Sequence, residues 1–141
     1  MIRLLHIEKD SLDTVWPLVW PYLASAVERS RGRFSEVAMR RLLEAGDWLL
    51  WAALEHSEAS DTVLGVAVTE ILVYPAGKKV INIPICTGVE AKKWAALIGE
   101  IEKWGKTEGA TAVQTWARRG WAKHLQDYEM THVLLEKEIG Q

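Results

Sequence analysis

The sequence predicts an α/β fold in which a β-sheet is flanked by helices. The chain has 141 residues, which suits one domain and is too short for two. Short apolar runs with strand-like alternation are separated by segments whose apolar residues recur at helical spacing. The predicted order is β α α β β β α β α β, so strands and helices are interspersed along the whole chain.

The composition narrows the class of protein. Lys and Arg total 17 and Asp and Glu total 19, and the net charge of −2 removes the long-range attraction expected of a general nucleic-acid binder. A single cysteine, Cys86, permits no internal disulfide and no cysteine-based zinc cluster. The four histidines show no metal-ligand spacing, and no apolar stretch approaches the ~20 residues of a membrane span. We therefore expect a cytoplasmic protein that binds no metal, nucleic acid or membrane.

The first third of the chain predicts one strand and two helices. Residues 2–7 are mostly apolar and form the strand. Apolar residues at helical spacing over 10–28 predict an amphipathic first helix. Ser35 is a favourable N-cap residue and Gly46 a favourable helix-ending residue, so the second helix lies between them.

Three strands are predicted in the middle of the chain, at residues 48–54, 63–74 and 78–86. The turn signal Pro75-Ala76-Gly77 joins the last two, which are therefore antiparallel neighbours. In the last of these strands, strict alternation places Ile81, Ile83 and Ile85 on one face of the sheet.

The C-terminal third predicts a long helix, a strand, a short helix and a last strand, at residues 90–108, 110–116, 119–127 and 131–139. The long helix has the apolar spacing of a helix packed on a sheet, and Thr87 is its predicted N-cap. In the last strand, Val133, Leu135 and Ile139 share one face.

The junction between the strand at 78–86 and the long helix is the most informative part of the sequence. Pro84 has no N–H to donate, so this strand loses its neighbour on one side and the sheet has a gap there. Beyond the gap, Thr87 and Gly88 introduce a helix whose first N–H groups point outward and suit an anion. The alternative interpretation is that this junction is an ordinary strand-to-helix turn.

A family resemblance adds to this reading. The sequence has the element order given above and a Pro-containing strand that leads into a Gly turn and a long helix. It also has short motifs at Trp16-Pro17, 50–53, 65–69, Tyr74-Pro75, 98–104 and 119–121. Together they resemble the GNAT superfamily of N-acetyltransferases, and look closest to the small GNAT-like proteins of tailed phages and prophages. The resemblance spans nearly the whole chain and implies one GNAT-like (acyl-CoA N-acyltransferase) domain over 1–141, with a mixed, mainly antiparallel sheet flanked by helices.

The resemblance also implies an activity. It is the transfer of an acetyl group from acetyl-CoA to an unknown amine, which attacks the thioester directly in a ternary complex. Acetyl-CoA would lie in the gap beside Pro84, with its pantetheine amides against Ile85 and Cys86. The cofactor-binding residues that the resemblance implies are Ile85, Cys86, Thr87, Gly88, Val89, Glu90, Ala91 and Lys92. The pyrophosphate would lie over the amides of residues 88–91, and we expect Gly88→Trp to abolish CoA binding without unfolding the chain.

The sequence departs from the family pattern at this loop. The family usually has Gln/Arg-x-x-Gly-x-Gly/Ala, of which only Gly88 matches here. Glu90 places a carboxylate where phosphate would lie, and a negative charge there competes with a bound anion although it suits the helix dipole.

Two catalytic candidates follow. Many family members have a tyrosine as general acid in the short last helix, and here that position falls on Leu125 or Gln126. Tyr128 lies one turn from Leu125 and would replace it, unless it is a packing residue. Glu70 is the only carboxylate inside the central strands and would be the general base if it faces the gap. The alternative is that Glu70 lies on the solvent face of the sheet.

Three further alternatives stay open. Cys86 is either a nucleophile activated by the helix N-terminus or a small buried residue. The basic clusters Arg29, Arg31, Arg33 and Arg118, Arg119, Lys123 are either nucleotide-binding or structural. The whole chain is either an acetyltransferase or a catalytically inactive GNAT-like binding or assembly protein whose tryptophans form an interface. The corresponding partners are an amine acceptor, either a small molecule or a protein, and a second copy of the chain or a phage protein.

Overall fold

The computed structural model describes residues 1–117 and 119–140. Within them, five strands form one sheet in the order β1-β2-β3-β4-β5. The strands are β1 Ile2–Ile7, β2 Leu49–His56, β3 Asp61–Val73, β4 Lys79–Gly88 and β5 Ala112–Thr115. Strands β1 to β4 pair antiparallel, and β4 and β5 pair parallel. The prediction of a mixed, mainly antiparallel sheet is confirmed.

Helices cover both faces of the sheet. They are α1 Leu12–Glu28, α2 Glu36–Ala45, α3 Ala91–Trp94 and α4 Ile98–Thr107, with short 3₁₀ segments at Lys9–Ser11, Ala95–Leu97 and Arg119–Lys123. The helices α1 and α2 pack on one face, in a core that includes Leu23, Val68 and Ile85. The helices α3 and α4 pack on the other face, over a core that includes Ile81 and Ile83.

The boundaries of α2 confirm the capping prediction. The Ser35 side chain accepts a hydrogen bond from the N–H of Ala38 at 3.1 Å, which satisfies one of the first N–H groups of the helix. Gly46 follows the helix with φ of 82°, a left-handed conformation that glycine adopts without steric cost.

The prediction of one continuous helix over 90–108 is wrong, and Trp94 supplies the reason. Its side chain is fully buried, and its Nε1 donates to the carbonyl oxygen of Val89 at 2.9 Å. At φ of −128° its backbone leaves the helical region, and the chain continues through a 3₁₀ segment before α4 begins. Thr87 is also not the N-cap, because it lies inside β4 and Glu90 takes that position.

The predicted alternation of three isoleucines on β4 is wrong at its last member. Val68 pairs with Ile85 and Glu70 pairs with Asn82, so β4 has one more residue than β3 between these pairs. This β-bulge next to Pro84 reverses the order of the faces. Ile81 and Ile83 therefore lie in the α3/α4 core, whereas Ile85 lies in the α1/α2 core.

The last two predicted elements are also wrong. The helix at 119–127 is reduced to the 3₁₀ segment Arg119–Lys123. No strand follows Thr115 in the described part of the chain, and residues 131–140 are irregular and exposed. In this C-terminal segment, Glu136 forms ion pairs with Arg31 and Arg33 in the loop between α1 and α2.

The packing of Trp94 over two glycines predicts a large effect of a small substitution. A Cβ atom at Gly88 would lie 2.4 Å from the Cα of Gly65 and 2.4 Å from the carbonyl oxygen of Leu64. Both are backbone atoms that cannot turn aside, so we expect Gly88→Ala to lower the free energy of unfolding by about 3 kcal/mol. Urea denaturation followed by tryptophan fluorescence measures the change.

Gly99→Ala is the matched control. Gly99 lies inside α4 with open space around its Cα, so alanine there raises stability by about 0.5–1 kcal/mol. Equal stabilities of the two variants would contradict the packing described here. The same contacts show that Gly88→Trp, expected from the sequence to leave the chain folded, is unsuitable as a test of CoA binding.

Candidate functional site

The sheet opens at Pro84. The last pair between β4 and β5 joins Ile83 to Thr115, and the Thr115 hydroxyl donates to the Ile83 carbonyl at 2.7 Å. Beyond this pair, residues 85–88 of β4 are paired with β3 alone among the residues that the structure describes. The predicted loss of a neighbour at Pro84 is confirmed, and it leaves one edge of these four residues unpaired.

The bulge decides which side chains face each side of this open edge. Ile85 and Thr87 pair with Val68 and Val66, whose side chains belong to the α1/α2 core. Cys86 pairs with Ala67 and packs against the α3/α4 core. The open edge of β4 therefore separates two different surroundings, one under each pair of helices.

Glu70 lies on the α1/α2 face, next to the bulge. It is half-buried and accepts a hydrogen bond from the Asn82 amide at 2.9 Å. Asn82 is 0 % exposed and accepts in turn from the Gln114 amide at 3.2 Å, and Gln114 also contacts the Tyr74 hydroxyl at 2.9 Å. Polar side chains thus cross β3, β4 and β5 in one row at the place where the sheet opens.

Tyr128 lies on the opposite face. It follows the last 3₁₀ segment, where its N–H donates to the Leu125 carbonyl at 3.0 Å. Its hydroxyl donates to a carboxylate oxygen of Glu102 on α4 at 2.7 Å. Burial, and then this hydrogen bond, raise the pKa of Tyr128 well above its ordinary value, and Cys86 adds to the same shift. The phenol is therefore a protonated hydrogen-bond donor at neutral pH.

Cys86 has the surroundings of an unreactive thiol. Burial raises the pKa of Cys86 to about 12, because the charged thiolate would lose its hydration. The thiolate is the nucleophilic form of cysteine, and at neutral pH it is nearly absent here. The interpretation of Cys86 as a small packed residue is the one that the structure favours.

The turn after β4 is held by its own chain. The N–H of Val89 donates to Leu64 at 2.8 Å, so this amide is occupied and cannot bind an anion as the sequence implied. Glu90 has φ of 51°, and its carboxylate lies 3.1 Å from the ammonium of Lys93. Ala91 and Lys92 begin α3, so their N–H groups have no acceptor inside the helix.

The tryptophans and the basic clusters have different surroundings. Trp48, Trp51 and Trp94 are buried in the two cores and do not form an interface, whereas Trp116 is 68 % exposed.

The cluster Arg29, Arg31, Arg33 lies in the loop after α1. Arg118 and the side chain of Arg119 lie outside the described residues, so the second basic cluster stays a prediction.

Two polar residues of this site, Asn82 and Gln114, were not predicted as site residues from the sequence. Asn82 is a polar residue between Ile81 and Ile83, and a polar residue at a position flanked by core isoleucines is the available signal. Gln114 occupies the matching position of β5. Neither carries a charge or belongs to a known motif, so only the strand register shows that Asn82 meets Glu70 and that Gln114 meets Asn82.

Two negative findings apply to residues 1–117 and 119–140. No cluster of three or more metal-ligating side chains occurs among them. None of the helices in these ranges combines the length and the apolar character needed to cross a bilayer.

Comparisons with known proteins identify the fold. No protein-family profile matches the sequence, and no curated protein matches it. A putative acetyl transferase from Pyrococcus furiosus is similar in structure, with 19 % identity, a TM-score of 0.68 and coverage of 99 % of this chain and 100 % of that one. An aminoglycoside acetyltransferase from an uncultured soil metagenomic sample, in complex with sisomicin, has 13 % identity, a TM-score of 0.69 and coverage of 99 % and 97 %.

A third similar structure is the ribosomal-protein-alanine N-acetyltransferase of Brucella melitensis biovar Abortus. It has 14 % identity, a TM-score of 0.61 and coverage of 98 % of this chain and 95 % of that one. The chain therefore has the fold of the GNAT acetyltransferases over its whole length. None of these three structures is described as a phage protein.

The surroundings of Cys86 predict slow thiol chemistry in the folded protein. At pH 7 we expect Cys86 to react with a thiol-specific disulfide reagent at least about a hundredfold more slowly in the native chain than in urea. The reaction is slower in the folded chain because the raised pKa of Cys86 disfavours the reactive thiolate there. In the unfolded chain this effect is absent. A native rate equal to the unfolded rate would show an exposed, reactive thiol.

Proposed function

We propose that the chain is an acetyl-CoA-dependent N-acetyltransferase, in which an amine attacks the thioester directly in a ternary complex. The observation that carries the proposal is the unpaired edge of β4 at residues 85–88, beside Glu70 on one face and Tyr128 on the other. The three similar structures given above are named as acetyltransferases, which supports the general reaction class.

The open edge of β4 fits the pantetheine arm of acetyl-CoA. An unpaired strand edge offers main-chain N–H and C=O groups to an extended partner, as in peptide binding by strand addition. The pantetheine arm is extended and carries two amides, so it can pair with Ile85 and Cys86 as a short strand would. Thr87 then marks the end of the strand at which the phosphates of CoA emerge.

The turn after β4 provides the surroundings for those phosphates. Gly88 brings the backbone close, and the N–H groups of Ala91 and Lys92 begin α3. Glu90, the departure from the family loop, is neutralised by Lys93 at 3.1 Å and does not leave an unpaired negative charge. Within the cofactor-binding set that the resemblance implies, Val89 contributes only its side chain, because its N–H donates to the Leu64 carbonyl and its own carbonyl accepts from Trp94 Nε1.

Glu70 and Tyr128 take the two proton-transfer roles. The Glu70 carboxylate accepts a proton from the acceptor ammonium, directly or through one water, and so frees the nitrogen lone pair. The nitrogen then bonds to the acetyl carbon while the carbon–sulfur bond breaks, and the positively charged nitrogen loses its second proton to solvent to give the neutral amide. The Tyr128 hydroxyl, which donates to Glu102 in the free protein, turns its single proton to the leaving sulfur and then regains a proton from solvent.

The acceptor is proposed to be a small-molecule amine. A similar structure, at 13 % identity, is a complex with the aminoglycoside sisomicin, which supports a small-molecule amine as the class of acceptor. By the family resemblance, the acceptor would approach along the loop at 30–34. A protein acceptor, a homodimer and a phage or prophage origin stay predictions.

The proposed function predicts acetyl transfer that depends on Glu70. We expect the chain to release CoA from acetyl-CoA when a panel of polyamines, aminoglycosides and aralkylamines is supplied, and Glu70→Gln to lower kcat/KM by about a hundredfold. Free thiol release measures the rate, and mass spectrometry of the amine shows the added acetyl group.

Glu100→Gln on the outer face of α4 is the matched control and leaves the rate unchanged.

Tyr128→Phe lowers kcat without weakening acetyl-CoA binding, because the general acid acts on the leaving group. Absence of acetyl-CoA binding, or of transfer to any amine despite binding, would favour the inactive binding or assembly protein. Full activity of Glu70→Gln would remove Glu70 from the mechanism.

A further inference from the structure

Arg29 reaches the end of β4 from the α1 side. It directly follows α1, and its Nη2 lies 3.3 Å from the hydroxyl oxygen of Thr87. Its Nη1 donates to the hydroxyl of Ser25, one turn earlier in the helix. These two contacts hold the guanidinium beside the last residues of the open edge.

The position of α1 is itself fixed by packing. Leu23 is fully buried in the same core as Ile85, and the Tyr22 hydroxyl donates to the Val63 carbonyl on β3 at 2.8 Å. The C-terminal end of α1 therefore cannot shift along the sheet without breaking the core. Arg29 is placed at Thr87 by the fold, and not by a mobile loop.

Among the described residues, the charge of Arg29 is balanced only by the C-terminal end of α1, whose dipole favours a cation. Both acceptors are neutral hydroxyls, and no carboxylate in the described part of the chain forms an ion pair with it. By contrast, Arg31 and Arg33, in the same loop, are both paired with Glu136. Arg29 is also exposed, so an anionic ligand can reach it.

The geometry points to Arg29 as the residue that binds the diphosphate of CoA, an inference that rests on the proposed function. A guanidinium presents several N–H donors in one plane and matches phosphate oxygens in pairs. Thr87 lies one residue beyond the part of β4 assigned to the pantetheine amides, so the diphosphate follows at this level. Holding the guanidinium on Ser25 before binding reduces the entropy lost when phosphate binds.

This role explains how the chain tolerates its unusual loop. The family pattern has Gln or Arg at the position of Ile85, and here that side chain is buried in the α1/α2 core. Arg29 supplies the missing positive charge from a different element. We therefore expect the chain to bind acyl carriers that contain the diphosphate more tightly than carriers that contain pantetheine alone.

The experiment is calorimetric titration of Arg29→Gln and the unchanged chain with three ligands. CoA and dephospho-CoA both contain the diphosphate, whereas pantetheine contains no phosphate. We expect Arg29→Gln to weaken binding of CoA and dephospho-CoA about tenfold and to leave pantetheine unchanged. Arg29→Lys restores part of the loss, because it keeps the charge and loses the paired donors.

Arg41→Gln is the matched control, since it removes the same charge from an exposed position on α2 and should affect none of the ligands. Equal CoA affinity of Arg29→Gln and the unchanged chain would overturn the inference and leave the proposed function standing. Weakening of CoA alone, without dephospho-CoA, would move the contact to the 3′-phosphate and overturn the diphosphate assignment. Failure of the unchanged chain to bind any of the three ligands would contradict the proposed function, and the inference with it.

Discussion

Pro84 has no N–H, and the parallel pairing of β4 with β5 ends at the residue before it. The features of the candidate site are arranged around this interruption. The bulge beside Pro84 turns Ile85 and Thr87 toward α1 and Cys86 toward α4, so the last four residues of β4 present different side chains on two faces. An uninterrupted ladder would have covered this edge with β5 and left no room for a ligand between the strands.

The open edge needs support, because an unpaired strand end is prone to fray. On one face, Trp94 packs against Gly65 and Gly88 and donates to Val89, which fixes the turn that follows β4. On the other face, Arg29 contacts Thr87, and the row from Glu70 through Asn82 to Gln114 satisfies polar groups that the sheet would otherwise bury without partners. The same contacts that stabilise the opening also place the groups proposed for chemistry.

The features that could be predicted from the sequence depend on residues that are close together in it. Ser35 and Gly46 bound α2 as capping chemistry requires, and the missing donor of Pro84 predicted the gap. The helix at 90–108 could not be predicted correctly from its apolar spacing, because Trp94 breaks it through contacts with Gly88 and with Gly65, which is distant in sequence. The last strand was predicted from the alternation of Val133, Leu135 and Ile139, but these side chains are exposed in the structure and cover no core. Asn82 and Gln114 became visible as site residues only through strand register, whereas Arg29 belongs to a cluster that the sequence offered as nucleotide-binding, and helix packing distinguishes it from the other members.

The central claim is that acetyl-CoA lies along the open edge of β4, and backbone amide NMR during titration with acetyl-CoA tests it most directly. The account predicts that the largest shifts and the greatest gain in exchange protection occur at residues 85–88 and at the first residues of α3. Pairing with a ligand shields these N–H groups from solvent. Shifts confined to the outer surface of α1 or to the C-terminal segment, with residues 85–88 unchanged, would contradict the claim.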